Sequence, residues 1–323
     1  MSRRGLVAAA VLLLWAVGLG ALVRREYFQP DAERMALAGL RVAPGAAFYA
    51  VERDGRHVGF ASSKVDTSAR EIVVVDELTT QEARRGGRRA QVRASARLSR
   101  ALLPLSFGYT VDDPTLPLAV TARVRSDSTL VLTVRSGASR GEPQTVPTAG
   151  RAYPASAVPL LVALGGQLRV GGRVAVTLFD PTAMAARPVV LRVVAESLFT
   201  LSDSAGFDRA AGRWVSAHQD TVRAWHVRTE GDTTTLNGWV DAQGMMVQAR
   251  LADGYLLRRT SFEEAAENWR RPAAGGPRAS PGRRGGSADA RGDTLADTLA
   301  DTLADTRADT LAADGTGGLR ARR

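Results

Sequence analysis

The chain contains no cysteine. That absence excludes disulfides, thiolate zinc sites, a lipobox for lipid attachment and any cysteine nucleophile. It leaves the compartment open, because oxidising compartments permit disulfides without requiring them. Lysine is nearly absent too: Lys64 stands alone, and it follows serine rather than the glycine of a phosphate-binding loop. Histidine occurs three times, as His57, His218 and His226, and the last two flank Asp220 at a spacing that matches no common zinc pattern. Gly165-Gly166 and Gly171-Gly172 carry no dinucleotide fingerprint. We therefore expect no metal site and no cofactor.

What the chain has in excess is arginine. The formal charge is +10, and every cationic side chain except Lys64 and the histidines is arginine. Combined with abundant alanine, glycine, valine and leucine, this matches the codon bias of a GC-rich genome. Basicity is then weak ground for a nucleic-acid partner.

An uncharged run from Gly5 to Val23 lies between Arg3-Arg4 and Arg24-Arg25. As a helix it would reach ~28 Å, close to the thickness of a bilayer core. We read residues 1–25 as a signal anchor with its span at 5–23, placing the bulk of the chain outside the inner membrane, in the periplasm. A signal peptide that is cleaved, releasing a secreted protein, is the alternative; its apolar core would be ~7–15 residues, and Gly18-Leu19-Gly20 is a poor cleavage site. Arg24, Arg25, Arg34 and Arg41 outnumber Arg3 and Arg4, but large domains translocate largely regardless of such charges.

Residues 26–45 read as a juxtamembrane linker and short helix, and 46–271 as one β domain. Runs rich in valine, threonine and aromatics alternate with turn signals such as Asp54-Gly55, Gly86-Gly87, Gly231-Asp232 and Asp253-Gly254. The expected fold is mainly β, a curled antiparallel sheet or half-barrel built from hairpins. The clearest strand is Arg89 to Leu98, with Arg89, Gln91, Arg93, Ser95 and Arg97 on one face and Ala90, Val92, Ala94, Ala96 and Leu98 on the other. Two short helices are predicted. One runs through Pro154 to Gly165 with Ser156 as its N-cap, and the other opens at Ser261-Phe262-Glu263-Glu264 and runs to about Arg271. Residues 272–323 lose the apolar pattern and read as a disordered tail, with a tetrapeptide repeat, DTLADTLADTLADTRADTLA, from Asp293 to Ala312.

Candidate chemistry is sparse. Gly137-Ala138-Ser139-Arg140-Gly141 fits the pattern of a hydrolase nucleophile, but Pro143 and Pro147 leave no room for the helix that must follow. Asp180-Pro181 reads as the end of the strand that begins at Val174, since proline cannot donate to a sheet ladder and aspartate starts turns. The feature with functional promise is the arginine row: Arg89, Arg93 and Arg97 on one strand face, with Arg84, Arg85 and Arg88 in the preceding turn. These six could dock on anionic envelope material such as lipid headgroups, whose phosphates match guanidinium forks.

Tyr49-Ala50-Val51 with Gly55 and Val58-Gly59-Phe60, Leu103-Pro104-Leu105-Ser106-Phe107, Phe179-Asp180-Pro181, Trp239-Val240-Asp241 with Gly244, and Glu263-Glu264-Ala265 together resemble uncharacterised bacterial envelope β domains. Relatives of that kind occur alone or ahead of transglutaminase-like domains. The resemblance implies a sheet similar to lipoprotein-carrier folds, whose concave face can hold acyl chains. The cysteine domain is absent here, so no catalytic residue carries over. The expected function is a membrane-anchored, non-enzymatic domain that binds a lipid, an anionic envelope polymer or an envelope protein. The alternative is a hydrolase with an unrecognised site, for which Ser139 is the weak candidate.

Overall fold

The computed structural model describes residues 37, 39–81, 89–113, 117–231, 236–251 and 254–271. The expected anchor, most of the juxtamembrane segment, the turn carrying Arg84, Arg85 and Arg88, and the repeat tail lie outside these residues. Among the described residues, no helix is long and apolar enough to cross a membrane.

The domain is one large antiparallel sheet, curled and unclosed. Its first half is a meander: β1 (Gly45–Arg53), β2 (Arg56–Thr67), β3 (Glu71–Gln81), β4 (Arg89–Ser99), β5 (Pro104–Asp112), β6 (Leu118–Ser126), β7 (Thr129–Ser136) and the two-residue β8 (Ser139–Arg140). Then β9 (Gln144–Pro147) pairs with β7, and β10 (Ala152–Tyr153) runs parallel to β11 (Arg173–Asp180). A second meander follows through β12 (Ala185–Asp208), β13 (Arg213–Thr229), β14 (Asn237–Asp241), β15 (Met246–Arg250) and β16 (Leu256–Thr260). Pairing of β16 with β1 joins the two meanders, so the ends of the domain meet in mid-sheet.

Between β10 and β11 the chain forms a 3-10 turn, Ala155–Ala157, and then α1, Val158–Leu164. This helix is apolar on both sides and fills the hollow of the sheet, as a helix without a polar face must be enclosed. Leu160 and Leu161 pack with Tyr49, Ile72, Leu98 and Leu132 of the first meander. Val158 and Val162 pack with Leu191, Val193, Val227 and Val240 of the second. The concave side, where the family resemblance implies acyl chains, is thus occupied by the chain itself. Ser156 is not the N-cap expected. Its hydroxyl is buried without a partner, and the 3-10 turn leads directly into the helix, leaving no free first turn for a side chain to cap.

The outer face carries the second short helix, a π-helical turn Glu263–Glu267 continued by α2, Asn268–Arg270. Ser261 Oγ accepts the Glu264 amide at 3.3 Å, the forward half of the expected capping box. The Glu264 carboxylate accepts instead from the Thr260 and Ser261 hydroxyls. Outward-facing Phe48 and Phe60 meet Phe262 and Trp269, which fixes the helix over β1 and β2. The long β12–β13 hairpin reaches the same helix. Bulges near Ala195, Ser204 and Ala205 break its period, as bulges bend strands, and at its far end Asn268 exchanges two hydrogen bonds of 2.8 Å with the Trp214 backbone.

Candidate anion-binding groove

Of the arginine row expected from the sequence, Arg89, Arg93 and Arg97 are described, and all three lie on the outer face of β4. None is free. Arg93 stands directly opposite Glu77 on β3 and pairs with it at 3.2 Å. Arg97 grips Glu71 through Nε and Nη2 at 2.8–3.1 Å. Arg89 lies over the Trp269 ring, 5.0 Å from its centroid. With side chains 57% and 59% exposed, Arg93 and Arg97 form ion pairs of small energetic weight, but the pairs offset two of the three charges on the strand that looked most basic.

Two strands further along the same outer face the balance changes. Ala119, Thr121 and Arg123 of β6, Val131, Thr133 and Arg135 of β7, Arg140 of β8 and Pro143 line a groove of about 490 Å³. The alternation that buries Leu118, Val120 and Ala122 turns Thr121 and Arg123 outward, and burial of Leu130 and Leu132 does the same for Thr133 and Arg135. Arg140 is set directly across from Arg135 by the short β7–β8 hairpin, whose Gly137 takes φ 57°. Among the described residues, no acidic side chain lines the groove. None of the three arginines is paired with a described residue; Glu142, between Arg140 and β9, is exposed and is not among the lining residues, and Asp127 of the β6–β7 turn is held by Arg151. The face is continuous with the β4 row. Arg97 aligns through Ser106 with Arg123, and Arg93 aligns through Thr110 and Ala119 with Arg135.

The groove is not legible in the sequence, because Arg123, Arg135 and Arg140 come from three different strands. The available signal was an acid-free polar face running through β6, β7 and β8.

The remaining candidates are dispersed. Ser139 is exposed in β8, and the next element is β9, not the helix that a nucleophile elbow requires. Asp180 ends β11 as read from the sequence, its Oδ1 accepting the Thr182 and Ala183 amides at 2.9 and 3.3 Å. His226 bonds Asn237 and stacks on Trp239. His57 is half-buried, and burial lowers its pKa. Asp203, His218 and Asp220 converge within reach of one ion, but all three are exposed, and His218 Nδ1 is engaged with Asp203 Oδ2 at 2.9 Å, which lowers the acid's pKa.

The concave side holds a second polar group. Tyr49 is buried and its hydroxyl lacks a hydrogen-bond partner; burial first, then the nearby Asp76, pushes its pKa upward. Burial likewise raises Asp76 to about 6, against the pull of the Ser63 hydroxyl directly across from it on β2. Asp241 is fully engaged, accepting the Gln243 and Met245 amides and pairing with Arg259 at 2.8 Å. The Asp241–Arg259 pair ties β14 to β16.

No family model and no curated protein matches the chain. Solved structures do. A β-barrel-like protein of domain of unknown function DUF1849 from Brucella abortus aligns with a TM-score of 0.43 and 16% identity, over 68% of this chain and 97% of that one. A DUF1089 family protein from Pseudomonas aeruginosa aligns with a TM-score of 0.35 and 12% identity, over 58% of this chain and 88% of that one.

Proposed function

We propose that the chain is a non-enzymatic, membrane-anchored envelope β domain whose convex arginine groove binds an extended polyanion. The observation that carries this reading is the acid-free groove itself. Three arginines line it without a described ion-pair partner, and guanidinium forks match phosphate and carboxylate oxygens. Thr121 and Thr133 supply hydroxyls between them. A trough favours an extended polymer strand over a flat lipid surface. The filled interior points the same way, since α1 occupies the space that a carrier would keep for an acyl chain. The apolar run 5–23 supports attachment to the inner membrane with the sheet held outside it, and the sequence likeness to envelope β domains found ahead of transglutaminase-like domains belongs to the same proposal.

The test is binding of long-chain polyphosphate at low salt, with neutral dextran as control. The combined Arg123→Gln, Arg135→Gln and Arg140→Gln variant keeps the strand alternation and should weaken binding about tenfold or more, three surface pairs at up to ~1 kcal/mol each. Added salt should erase the difference as screening shortens to a few ångströms. Equal binding by parent and variant would overturn the proposal.

A further inference from the structure

The sequence also supplies a polyanion of its own. Between Asp293 and Ala312 the repeat places aspartates at 293, 297, 301, 305 and 309 against the single Arg307. We infer that this repeat docks in the arginine groove as an extended strand and competes in cis for the ligand site; the inference rests on the groove reading above.

The spacing is the first argument. Arg123 stands opposite Val131, four residues before Arg135 on the neighbouring strand. Four strand residues span ~13 Å and one strand step adds ~4.8 Å sideways, so the two positions lie about 14 Å apart. Successive aspartates of an extended DTLA repeat are also four residues, ~13 Å, apart. In a helix the same aspartates would rise only ~6 Å and could not reach both arginine positions. One aspartate can therefore meet Arg123 while the next meets Arg135 and Arg140, which face each other across the β7–β8 hairpin. In the extended form the leucines share the aspartate face and the alanines share the threonine face, so Asp297 and Asp301 are flanked on both sides by leucines that can meet Val131 and Pro143.

Reach is the second argument. The described chain ends at Arg271 on the outer face, where Trp269 sits against Phe60 of β2. From β2 to β6 is four strand spacings, ~19 Å. Asp293 follows Arg271 by 22 residues rich in glycine, proline, serine and arginine. At most ~3.3 Å per residue, a segment of that length reaches far beyond the gap, and the covalent tether gives a high effective concentration.

The experiment uses the full chain. Replacing the five repeat aspartates, Asp293→Asn through Asp309→Asn, should tighten polyphosphate binding about tenfold, as removal of a tethered competitor at millimolar effective concentration does. That gain should disappear in the Arg123→Gln, Arg135→Gln, Arg140→Gln background. In trans, a synthetic peptide of residues 293–312 should bind the aspartate-free chain, be displaced by polyphosphate, and fail to bind once the three arginines are gone. If both chains bind polyphosphate equally and the peptide does not bind, the docking falls while the groove reading stands. If the peptide binds through the three arginines and polyphosphate binds neither chain, the ligand reading falls and the tail docking stands.

Discussion

Phe107 on β5 and Phe179 on β11 meet with ring centroids 5.1 Å apart, although nine strands lie between β5 and β11 in the sheet. This contact shows how far the sheet rolls around α1 without closing at its edges. Both rings are almost fully buried. Truncating either to alanine should cost about 3–5 kcal/mol, the usual range for a buried phenylalanine. The pair should couple by ~0.5–1.5 kcal/mol in a double-mutant cycle followed by urea unfolding. Additive losses would show that each ring packs only against its own half of the sheet.

Gly244 links the second meander to α1. It takes φ 79° in the turn where Asp241 accepts the Gln243 and Met245 amides, and an added Cβ would meet the Leu160 Cα and Cδ2 at 2.9 Å. A left-handed backbone alone costs a non-glycine residue of order 1–3 kcal/mol, and the collision adds to it. Gly244→Ala should therefore lower stability by ~2 kcal/mol or more. Gly137→Ala, also at positive φ but open to solvent on its Cβ side, should cost less. Similar losses at both positions would argue that the close approach to Leu160 relaxes freely.

Asn268 ties α2 to the far end of the β12–β13 hairpin through both of its amide atoms. Asn268→Ala removes two hydrogen bonds and leaves the Trp214 amide unpaired, for an expected loss of ~1–3 kcal/mol. Hydrogen exchange should quicken at Trp214 and Val215 before it changes at Val227, where the same strand is anchored in the core. Uniform quickening along β13 would mean that the hairpin opens as one unit with the domain.

The sequence shows β4 clearly because one face is buried and period-two alternation survives in the residue pattern. It shows only the start of β12, because bulges at Ala195 and around Ser204 interrupt the alternation that would have marked all 24 residues. The pairing of β16 with β1 leaves no local trace, since two short apolar strands far apart in sequence carry no sign of their partner. The arginine row illustrates the same limit in charge. Arg97 is paired with Glu71, 26 residues upstream, and Arg93 with Glu77, so most of the charge of a strand that reads as basic in isolation is offset by its neighbour. Arg123, Arg135 and Arg140 form a groove only because three strands are adjacent, and each strand by itself looks like an ordinary wet face.

Asp76 offers a test with a defined pH signature. It shares the concave side of β3 with Ile72 and Val74, and burial raises its carboxyl from the ordinary 3.8 to about 6. The folded state thus holds this proton more tightly than the unfolded chain. The penalty for ionising it is absent below about pH 4, grows as pH rises towards 6, and is constant above; a shift of roughly two units corresponds to ~3 kcal/mol at most. Asp76→Asn keeps the shape, can still pair with the Ser63 hydroxyl, and carries no charge at any pH. The variant should therefore match the parent near pH 4 and exceed its stability by ~2–3 kcal/mol at pH 8, read as a shift in the urea midpoint at each pH. A stability difference that does not vary between pH 4 and 8 would mean that Asp76 ionises in the fold without penalty, through solvent reaching the concave side beside Tyr49.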